Sequence, residues 1–202
     1  VSVITSAALI PILLTKKKPP TFKRIQAMSI KNLYEASPLG FVSSFFYGTI
    51  QSALFTLLAV YASSMNFTIL EISIVTFLLA VSGAIAQFPV GKLSDIYDRR
   101  KVLVISSFGA SIFAIMAILV SRQMYLPEGL ATSKTWFYIF FILFSFCSLP
   151  MFSLILAHTN DNISKENFVA AGAGLQFLFG LGAMSGPFLC SIFMDFVGPN
   201  GF

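Results

Sequence analysis

Long apolar runs separated by short polar connections are the main feature of the hydrophobic pattern along this chain. Five stretches contain no Asp, Glu, Lys or Arg at all: 41–70, 72–91, 102–121, 135–157 and 168–194. Each can hold the roughly 20 apolar residues with which a helix crosses a bilayer. The pattern therefore predicts an all-α membrane protein, a polytopic helical bundle, with spans at about 38–62, 69–90, 101–121, 135–157 and 167–194.

The composition excludes an ordinary soluble domain. Hydrophobic residues make up 56% of the 202 residues and charged residues only 10%, whereas about a quarter of the residues in soluble domains are charged. The net charge of +5 requires no nucleic-acid partner, because basic cytoplasmic connections and anionic lipid headgroups account for it. Cys147 and Cys190 lie within apolar spans, so no disulfide, metal site or cofactor is implied.

The first 37 residues differ from the spans that follow. Residues 1–14 are apolar but too short to cross the bilayer fully, and three lysines follow at 16–18. Since a signal peptide carries its basic residues before the apolar run, we interpret residues 1–14 as the end of a transmembrane helix. Four apolar residues recur at helical spacing in the basic stretch 15–37: Phe22, Ile25, Met28 and Leu33. They indicate a short amphipathic helix on the inner leaflet, with a solvated linker as the alternative.

The side that each connection faces follows from its basic residues. Six Lys and Arg residues fall in 15–37, four in 91–101 and one in 158–167, against two in the remaining connections. Basic residues mark the cytoplasmic side. These three connections are therefore predicted to face the cytoplasm.

Local chemistry marks the starts of two spans. Ser37 and Pro38 suit the N-cap and first positions of one helix. Thr68 and Glu71 form a T-x-x-E capping box before another. We expect helices to begin directly after Ser37 and Thr68.

Six charged residues are concentrated in one cytoplasmic stretch, GKLSDIYDRRK, at 91–101. Gly91 is expected to let the backbone turn tightly at this point. Asp95 can bond the amides at a helix N-terminus or pair with Arg99 or Arg100. Because such contacts can form in one conformation and break in another, the stretch is a candidate cytoplasmic gate.

The same stretch resembles the loop motif of the major facilitator superfamily, usually written G-x-L-a-D-[RK]-x-G-R-[RK]. The matching residues are Gly91, Leu93, Ser94, Asp95, Arg99 and Arg100. Two positions depart from the motif, since Ile96 replaces a basic residue and Asp98 replaces the glycine. In that family the motif lies on the cytoplasmic side between spans 2 and 3 and again between spans 8 and 9, in agreement with the predicted side.

The order of the segments matches the second half of that family. An apolar run, a basic connection and five spans resemble the end of span 6, the central linker and spans 7 to 11, with the last span missing. The resemblance implies a fragment, half of a 12-span fold, divided into 1–14, 15–37 and the bundle 38–202. The stretches SPLG, AHTND and GLGAMSGP also resemble bacterial members grouped loosely with sugar and drug efflux carriers.

The resemblance implies a secondary transporter that moves a small solute across the bacterial inner membrane by alternating access. Its implied partners are the solute, a coupling ion (H⁺ or Na⁺), the lipid bilayer and a missing amino-terminal half. A non-transporting receptor or scaffold on the same fold is the alternative. A membrane-embedded enzyme is less favoured, because the cytoplasmic Asp95, Asp98, His158 and Asp161 match no metal or hydrolase motif.

Uncharged polar residues at membrane depth are candidates for contact with the solute. Gln51, with Tyr47 one turn earlier, and Gln176 lie well inside apolar spans, where polar groups must line a cavity or be satisfied by protein. The alternative for the glutamines is hydrogen bonding between helices. Since no Asp, Glu, Lys or Arg lies deep within a complete span, any coupling group is expected outside this fragment.

Glycine and proline mark two places where helices pack closely or bend. Gly182 and Gly186 form a GxxxG pair followed by Pro187, which resembles the G-x-x-x-G-P element of antiporters in the same superfamily. Close helix packing and a hinge are both open interpretations of this pair. Pro150 is expected to kink its helix.

Overall fold

The computed structural model of this chain describes residues 28–123 and 130–202, and within them the protein is helical without any strand. The α-helices in these residues are, in chain order, α1 (Ile30–Ala36), α2 (Pro38–Ser64), α3 (Ile69–Ile96), α4 (Arg99–Gln123), α5 (Leu130–Ser148), α6 (Met151–Asp161) and α7 (Phe168–Val197). The span end expected at 1–14, and Phe22 and Ile25 of the expected amphipathic helix, lie outside the described residues.

Five helical segments of the described residues are long and apolar enough to cross a membrane. They are Pro38–Ser64, Ile69–Ile96, Arg99–Gln123, Ser133–Asp161 and Lys165–Val197. This confirms the all-α bundle that the apolar pattern predicts. We call the end of the bundle that carries Asp95, Arg99 and Asp161 the inner end, and the end that carries Glu71 and Lys134 the outer end.

Both helix starts expected from capping chemistry are confirmed. The Ser37 hydroxyl accepts a hydrogen bond from the Gly40 amide at 3.2 Å at the start of α2. At the start of α3 the Glu71 amide donates to the Thr68 hydroxyl at 3.3 Å, and the Thr68 amide donates to the Glu71 carboxylate at 2.7 Å. These contacts satisfy amides that have no partner inside the helix.

The tight turn expected at Gly91 is wrong. Helix α3 continues through Pro89 and Gly91 to Ile96, and the chain turns at Tyr97 instead. A proline within a membrane helix removes one backbone donor, which neighbouring groups can compensate. A Cβ atom at Gly91 would meet nothing within 4 Å, so no close approach requires glycine at this position.

Helices α5 and α6 form one span that is broken at Leu149 and Pro150. Pro150 precedes α6 as its N-cap residue, with φ −72° and ψ −8°. Because proline has no amide hydrogen, the helical hydrogen-bond ladder cannot run through this point. The break therefore coincides with the proline expected to bend the span.

Helices α2 and α7 run along each other and form the most extensive helix–helix contact among the described residues. The Ser44 hydroxyl of α2 donates to the Leu175 carbonyl of α7 at 2.7 Å. A Cβ atom added at Gly182 or Gly186 would collide with the backbone of α2, at Phe45 and Thr49 respectively. The glycine pair thus lets the two helix backbones approach closely, as small residues do in membrane bundles.

Buried side chains form two clusters, one toward each end. The outer cluster includes Leu58, Leu79 and Phe137, and the inner cluster includes Ile155 and Leu175. Packing within each cluster fixes the helix ends from which the charged residues project.

Candidate cytoplasmic gate

Arg99, the first residue of α4, joins three helices at the inner end. Its guanidinium lies 3.2 Å from an oxygen of Asp161, at the end of α6, and 3.5 Å from an oxygen of Asp95, one turn earlier on α3. It also donates a hydrogen bond to the Ala157 carbonyl of α6 at 2.9 Å. A guanidinium offers five donors in one plane, which lets one side chain hold all three groups.

The contacts of Arg99 are accessible to water. The side chain of Arg99 is 27% exposed, that of Asp161 is 53% exposed and that of Asp95 is 71% exposed. Ion pairs in such surroundings contribute only about 0.2 to 1 kcal/mol each. The guanidinium also lies near the carboxyl end of α6, where the helix dipole favours a positive charge. The arrangement can therefore hold α6 in place and still release it at small cost.

Asp98, which stands where the family motif has glycine, starts α4. Its carboxylate accepts a hydrogen bond from the Arg100 amide at 2.8 Å, and its carbonyl accepts one from the Val102 amide at 3.1 Å. These are the contacts of an N-cap residue. The sequence offered two alternatives for Asp95: a hydrogen bond to helix amides or an ion pair with an arginine. In the structure Asp95 pairs with Arg99, and it is Asp98 that bonds the helix amides.

The remaining motif residues surround this contact without joining it. Leu93 is 43% exposed and Arg100 is exposed, while Gly91 lies within α3. Gly91 and Asp95 border a cavity of about 250 Å³ between α3 and α6, to which Ala157 also contributes. Of the two arginines considered as partners of Asp95, the structure pairs it with Arg99.

Sequence reasoning missed Asp161 as a partner of Arg99. The two residues are far apart in the chain, and only the folded bundle brings the end of α6 beside the start of α4. One signal was present, because Asp161 lies in a connection predicted to face the same side as the basic motif. Opposite charges on one side of a bundle are candidates for pairing, although the pattern does not say which ones meet.

Comparison with known proteins decides the family. Residues 40–202 match the family model of the Major Facilitator Superfamily. The chain belongs to the major facilitator superfamily. This confirms the resemblance drawn from the loop motif at 91–101.

Bacterial members of the superfamily are similar to this chain over most of its length. The uncharacterized MFS-type transporter YfkF of Bacillus subtilis is 28% identical over 167 residues, which cover 79% of this chain and 39% of the relative. The uncharacterized MFS-type transporter YcaD of Escherichia fergusonii is 22% identical over 203 residues, covering 99% and 49% respectively. The chain thus spans about two fifths to half the length of these curated relatives. No solved structure matches it significantly.

This superfamily member is an integral, multi-pass membrane protein, since family and spans agree. The superfamily consists of transporters rather than enzymes, in line with the expectation from sequence. The names of these relatives specify no solute. The grouping with sugar and drug efflux carriers therefore stays a prediction.

The three residues predicted to contact solute are not brought together. Tyr47 borders an apolar cavity of about 650 Å³ between α2, α4, α5 and α7, which Gly186 also borders. Gln51 does not border this cavity, and Gln176 is exposed on the surface of α7. The Tyr47 hydroxyl donates to the Leu149 carbonyl at 3.1 Å, so it is already used within the bundle.

Gln51 differs from Tyr47 in its hydrogen bonding. Its side-chain oxygen is buried and has no hydrogen-bond partner in the part of the chain that the structure describes. A buried acceptor without a partner is costly. Contact with solute and hydrogen bonding to another helix therefore both remain predictions for Gln51.

A second ion pair, which sequence reasoning also missed, lies at the outer end. The Lys134 ammonium of α5 is 2.7 Å from an oxygen of Glu71 in the first turn of α3. It also lies 4.9 Å from the centre of the Phe67 ring, a distance at which a cation and an aromatic face attract each other. Lys134 thereby joins α3 and α5 at the end opposite to Arg99.

Proposed function

We propose that this chain forms the carboxyl-terminal half of a secondary transporter that moves a small solute across a bacterial cytoplasmic membrane by alternating access. Membership of the superfamily and similarity to bacterial proteins named as MFS-type transporters support this proposal. The relatives are about two to two and a half times as long as the matched region, which supports a partner half elsewhere in the same protein. A non-transporting receptor on the same fold remains the alternative.

The observation that carries the proposal is that the guanidinium of Arg99 binds acceptors on both α3 and α6 at the inner end. Its contacts with Asp95, Asp161 and the Ala157 carbonyl can stabilise one conformation of the bundle relative to another. A preference of about 1.4 kcal/mol changes the ratio of two states tenfold. Weak contacts of this kind are therefore sufficient for a cytoplasmic gate.

The distribution of charge favours an uncharged solute. Charged residues of the described spans lie toward the helix ends, as Glu71, Asp95 and Asp195 do. A charged solute at membrane depth would need a partner of opposite sign. Groups that couple transport to H⁺ or Na⁺ are expected in the partner half.

The gate is tested by chemical labelling from the cytoplasmic side. In a cysteine-free background of the intact transporter, Ser153→Cys places a thiol on the exposed face of α6 beside the smaller cavity. We expect Arg99→Gln to change its rate of reaction with a membrane-impermeant maleimide in inverted vesicles by about tenfold. Lys101→Gln, which removes an exposed positive charge close by, is the matched control. Equal rates in both variants would contradict the gate.

Transport itself is tested by flux in proteoliposomes. The purified intact protein is given a proton or a sodium gradient, and the movement of labelled chloramphenicol, an uncharged drug, and of a panel of labelled neutral sugars is measured. Gradient-dependent movement of one of these solutes supports a transporter. Complete absence of flux, with a protein that still responds to Arg99→Gln in the labelling assay, would favour the receptor alternative.

A further inference from the structure

We propose that helix α1, together with the basic residues at 16–31, binds anionic phospholipids of the leaflet at the inner end of the bundle. The proposal goes beyond the movement of a solute, because it concerns a lipid that stays in the membrane. Four observations carry it: the attachment of α1 to the bundle, its depth, its exposed side chains and the distribution of charge.

Helix α1 is attached to the bundle through Leu33. The Leu33 side chain is fully buried in the inner cluster, to which Ala171 and Leu175 of α7 also belong. A Cβ atom added at Gly174 would lie 2.7 Å from a methyl carbon of Leu33, so the missing side chain at Gly174 leaves the room that Leu33 occupies. Helix α1 is therefore docked against α7.

The docking point lies at the depth of the lipid headgroups. Helix α7 has 30 residues and is about 45 Å long at 1.5 Å per residue, which matches a bilayer with its headgroup regions. Gly174 follows the first residue of α7, Phe168, by six positions, or roughly 9 Å along the axis. Helix α1 thus meets α7 near the boundary between headgroups and acyl chains.

The exposed side chains of α1 suit that boundary. Ile30 and Tyr34, one turn apart, are both exposed, and the Tyr34 ring meets the edge of Phe41 of α2 with ring centres 5.3 Å apart. Tyrosine is enriched where membrane and water meet. Lys31 is exposed, and its contact with Glu35 is 3.9 Å long and exposed as well. Such a pair is weak, so the Lys31 ammonium can bind a lipid phosphate instead.

The positive charge of the inner end is concentrated in the same part of the chain. Residues 16–31 carry six Lys and Arg residues and no Asp or Glu. The other two basic connections, 91–101 and 158–167, carry five basic and four acidic residues between them. Clusters of four to eight Lys and Arg residues beside a membrane span bind anionic lipids. Of the six, Lys31 lies among the described residues, and α1 holds it at headgroup depth.

Quenching of a fluorophore by labelled lipids tests the proposal. In a cysteine-free background of the intact protein, Asn32→Cys on the exposed side of α1 carries a bimane group. Nanodiscs of phosphatidylcholine contain a small fraction of doxyl-labelled phosphatidylglycerol or doxyl-labelled phosphatidylcholine. We expect the anionic probe to associate about tenfold more strongly than the neutral one, and this preference to disappear in 1 M salt. Bimane at Phe77→Cys, exposed toward the outer end of α3, is the control and should show no preference.

Charge variants show whether the preference belongs to this surface. Each Lys or Arg near an anionic membrane contributes a factor of about five, so Lys31→Gln should lower the preference at Asn32 about fivefold. Lys92→Gln removes an exposed charge of α3 at the same end of the bundle and should leave it unchanged. Equal losses in both variants would overturn the site, because the field of the whole inner end would then be the cause. Equal quenching by both probes in the wild type would also overturn it.

A third pair of variants tests the docking of α1. Gly174→Ala pushes a methyl group against Leu33, whereas the Cβ atom of Gly172→Ala makes only an ordinary contact, at 3.7 Å from Leu156. We expect Gly174→Ala to lower the preference for the anionic probe about twofold and Gly172→Ala to leave it unchanged, with similar Tm values. No difference between the two would overturn the part assigned to α1. Absence of solute flux would reject the proposed transport but not this inference, since lipid contact is measured directly.

Discussion

The two ends of the bundle are each held by one cation, but the surroundings of the two cations differ. At the outer end the Lys134 side chain is only 17% exposed, and its ammonium lies 2.7 Å from Glu71. At the inner end Arg99 is divided among several acceptors and faces Asp161, which is 53% exposed. The same attraction between opposite charges thus produces a fixed joint where the pair is short and partly buried, and an exchangeable one where the partners are more exposed to water.

The largest loss of stability is expected from a mutation between the two ends, where α2 and α7 pack closely against each other. Gly186→Leu would push a side chain into the backbone of α2 at Thr49. We expect about 3 kcal/mol of destabilisation, the upper part of the usual range for overpacking, seen as a lower Tm and a lower yield from the membrane. Gly180→Leu is the control, since nothing lies within 4 Å of a Cβ atom there. Equal losses in both variants would show that close approach is not the cause.

The second largest loss of stability is expected at the fixed joint between Lys134 and Glu71. Lys134→Met leaves the Glu71 carboxylate without its cationic partner in a half-buried position. We expect about 2 kcal/mol of destabilisation, below the 3 to 5 kcal/mol found for fully buried pairs, measured as a fall in Tm. Arg122→Gln, which removes an exposed cation near the end of α4, should leave Tm nearly unchanged. Glu71→Gln should restore part of the loss in the double variant, and no restoration would argue against the pair.

A smaller loss of stability is expected at the inner end when the N-cap contact of Asp98 is removed. This contact lies within one helix end, unlike the exchangeable contacts of Arg99. Asp98→Ala removes the acceptor for the Arg100 amide and should cost about 1 kcal/mol, as loss of an N-cap does. Asp98→Gly, which introduces the glycine of the family motif, should cost only a few tenths of a kcal/mol. Thermal unfolding measures both, and a larger loss for glycine than for alanine would exclude the capping role.

The smallest effect on stability is expected when salt screens the charges of the exchangeable joint between Arg99 and Asp161. Raising the salt concentration from 0.1 M to 1 M shortens the Debye length from about 10 Å to about 3 Å. The contact of Arg99 with Asp161 is exposed, so maleimide labelling at Ser153→Cys should change in the direction that Arg99→Gln produces. Tm should change little. If salt lowered Tm as much as Lys134→Met does, the two joints would not differ in kind.

Those features of the fold that depend on neighbouring residues were predictable from sequence. The spans follow from uninterrupted apolar runs, and the capping contacts of Ser37 and Thr68 join residues three positions apart. The prediction of a turn at Gly91 also used a local signal, the residue type, but it was wrong. Glycine permits a turn without requiring one, and in this span the helix continues because its backbone groups are bonded within the helix.

The candidate site was predictable only in part. The pairing of Asp95 with Arg99 is a contact between residues one helical turn apart, and sequence spacing offers it directly. The contacts of Arg99 with Asp161 and of Glu71 with Lys134 join residues about 60 positions apart. They depend on which helices become neighbours, and apolar periodicity carries no information about that choice.

The two partnerships of Glu71 have a consequence for how the protein enters the membrane. Lys134 lies 63 residues after Glu71 in the chain, and a polypeptide is made from its amino terminus. Glu71 therefore leaves the ribosome well before the lysine that neutralises it. The amide and the hydroxyl of Thr68 both donate hydrogen bonds to the Glu71 carboxylate. These bonds are local and can form at once, so the carboxylate has donors throughout the interval before α5 arrives.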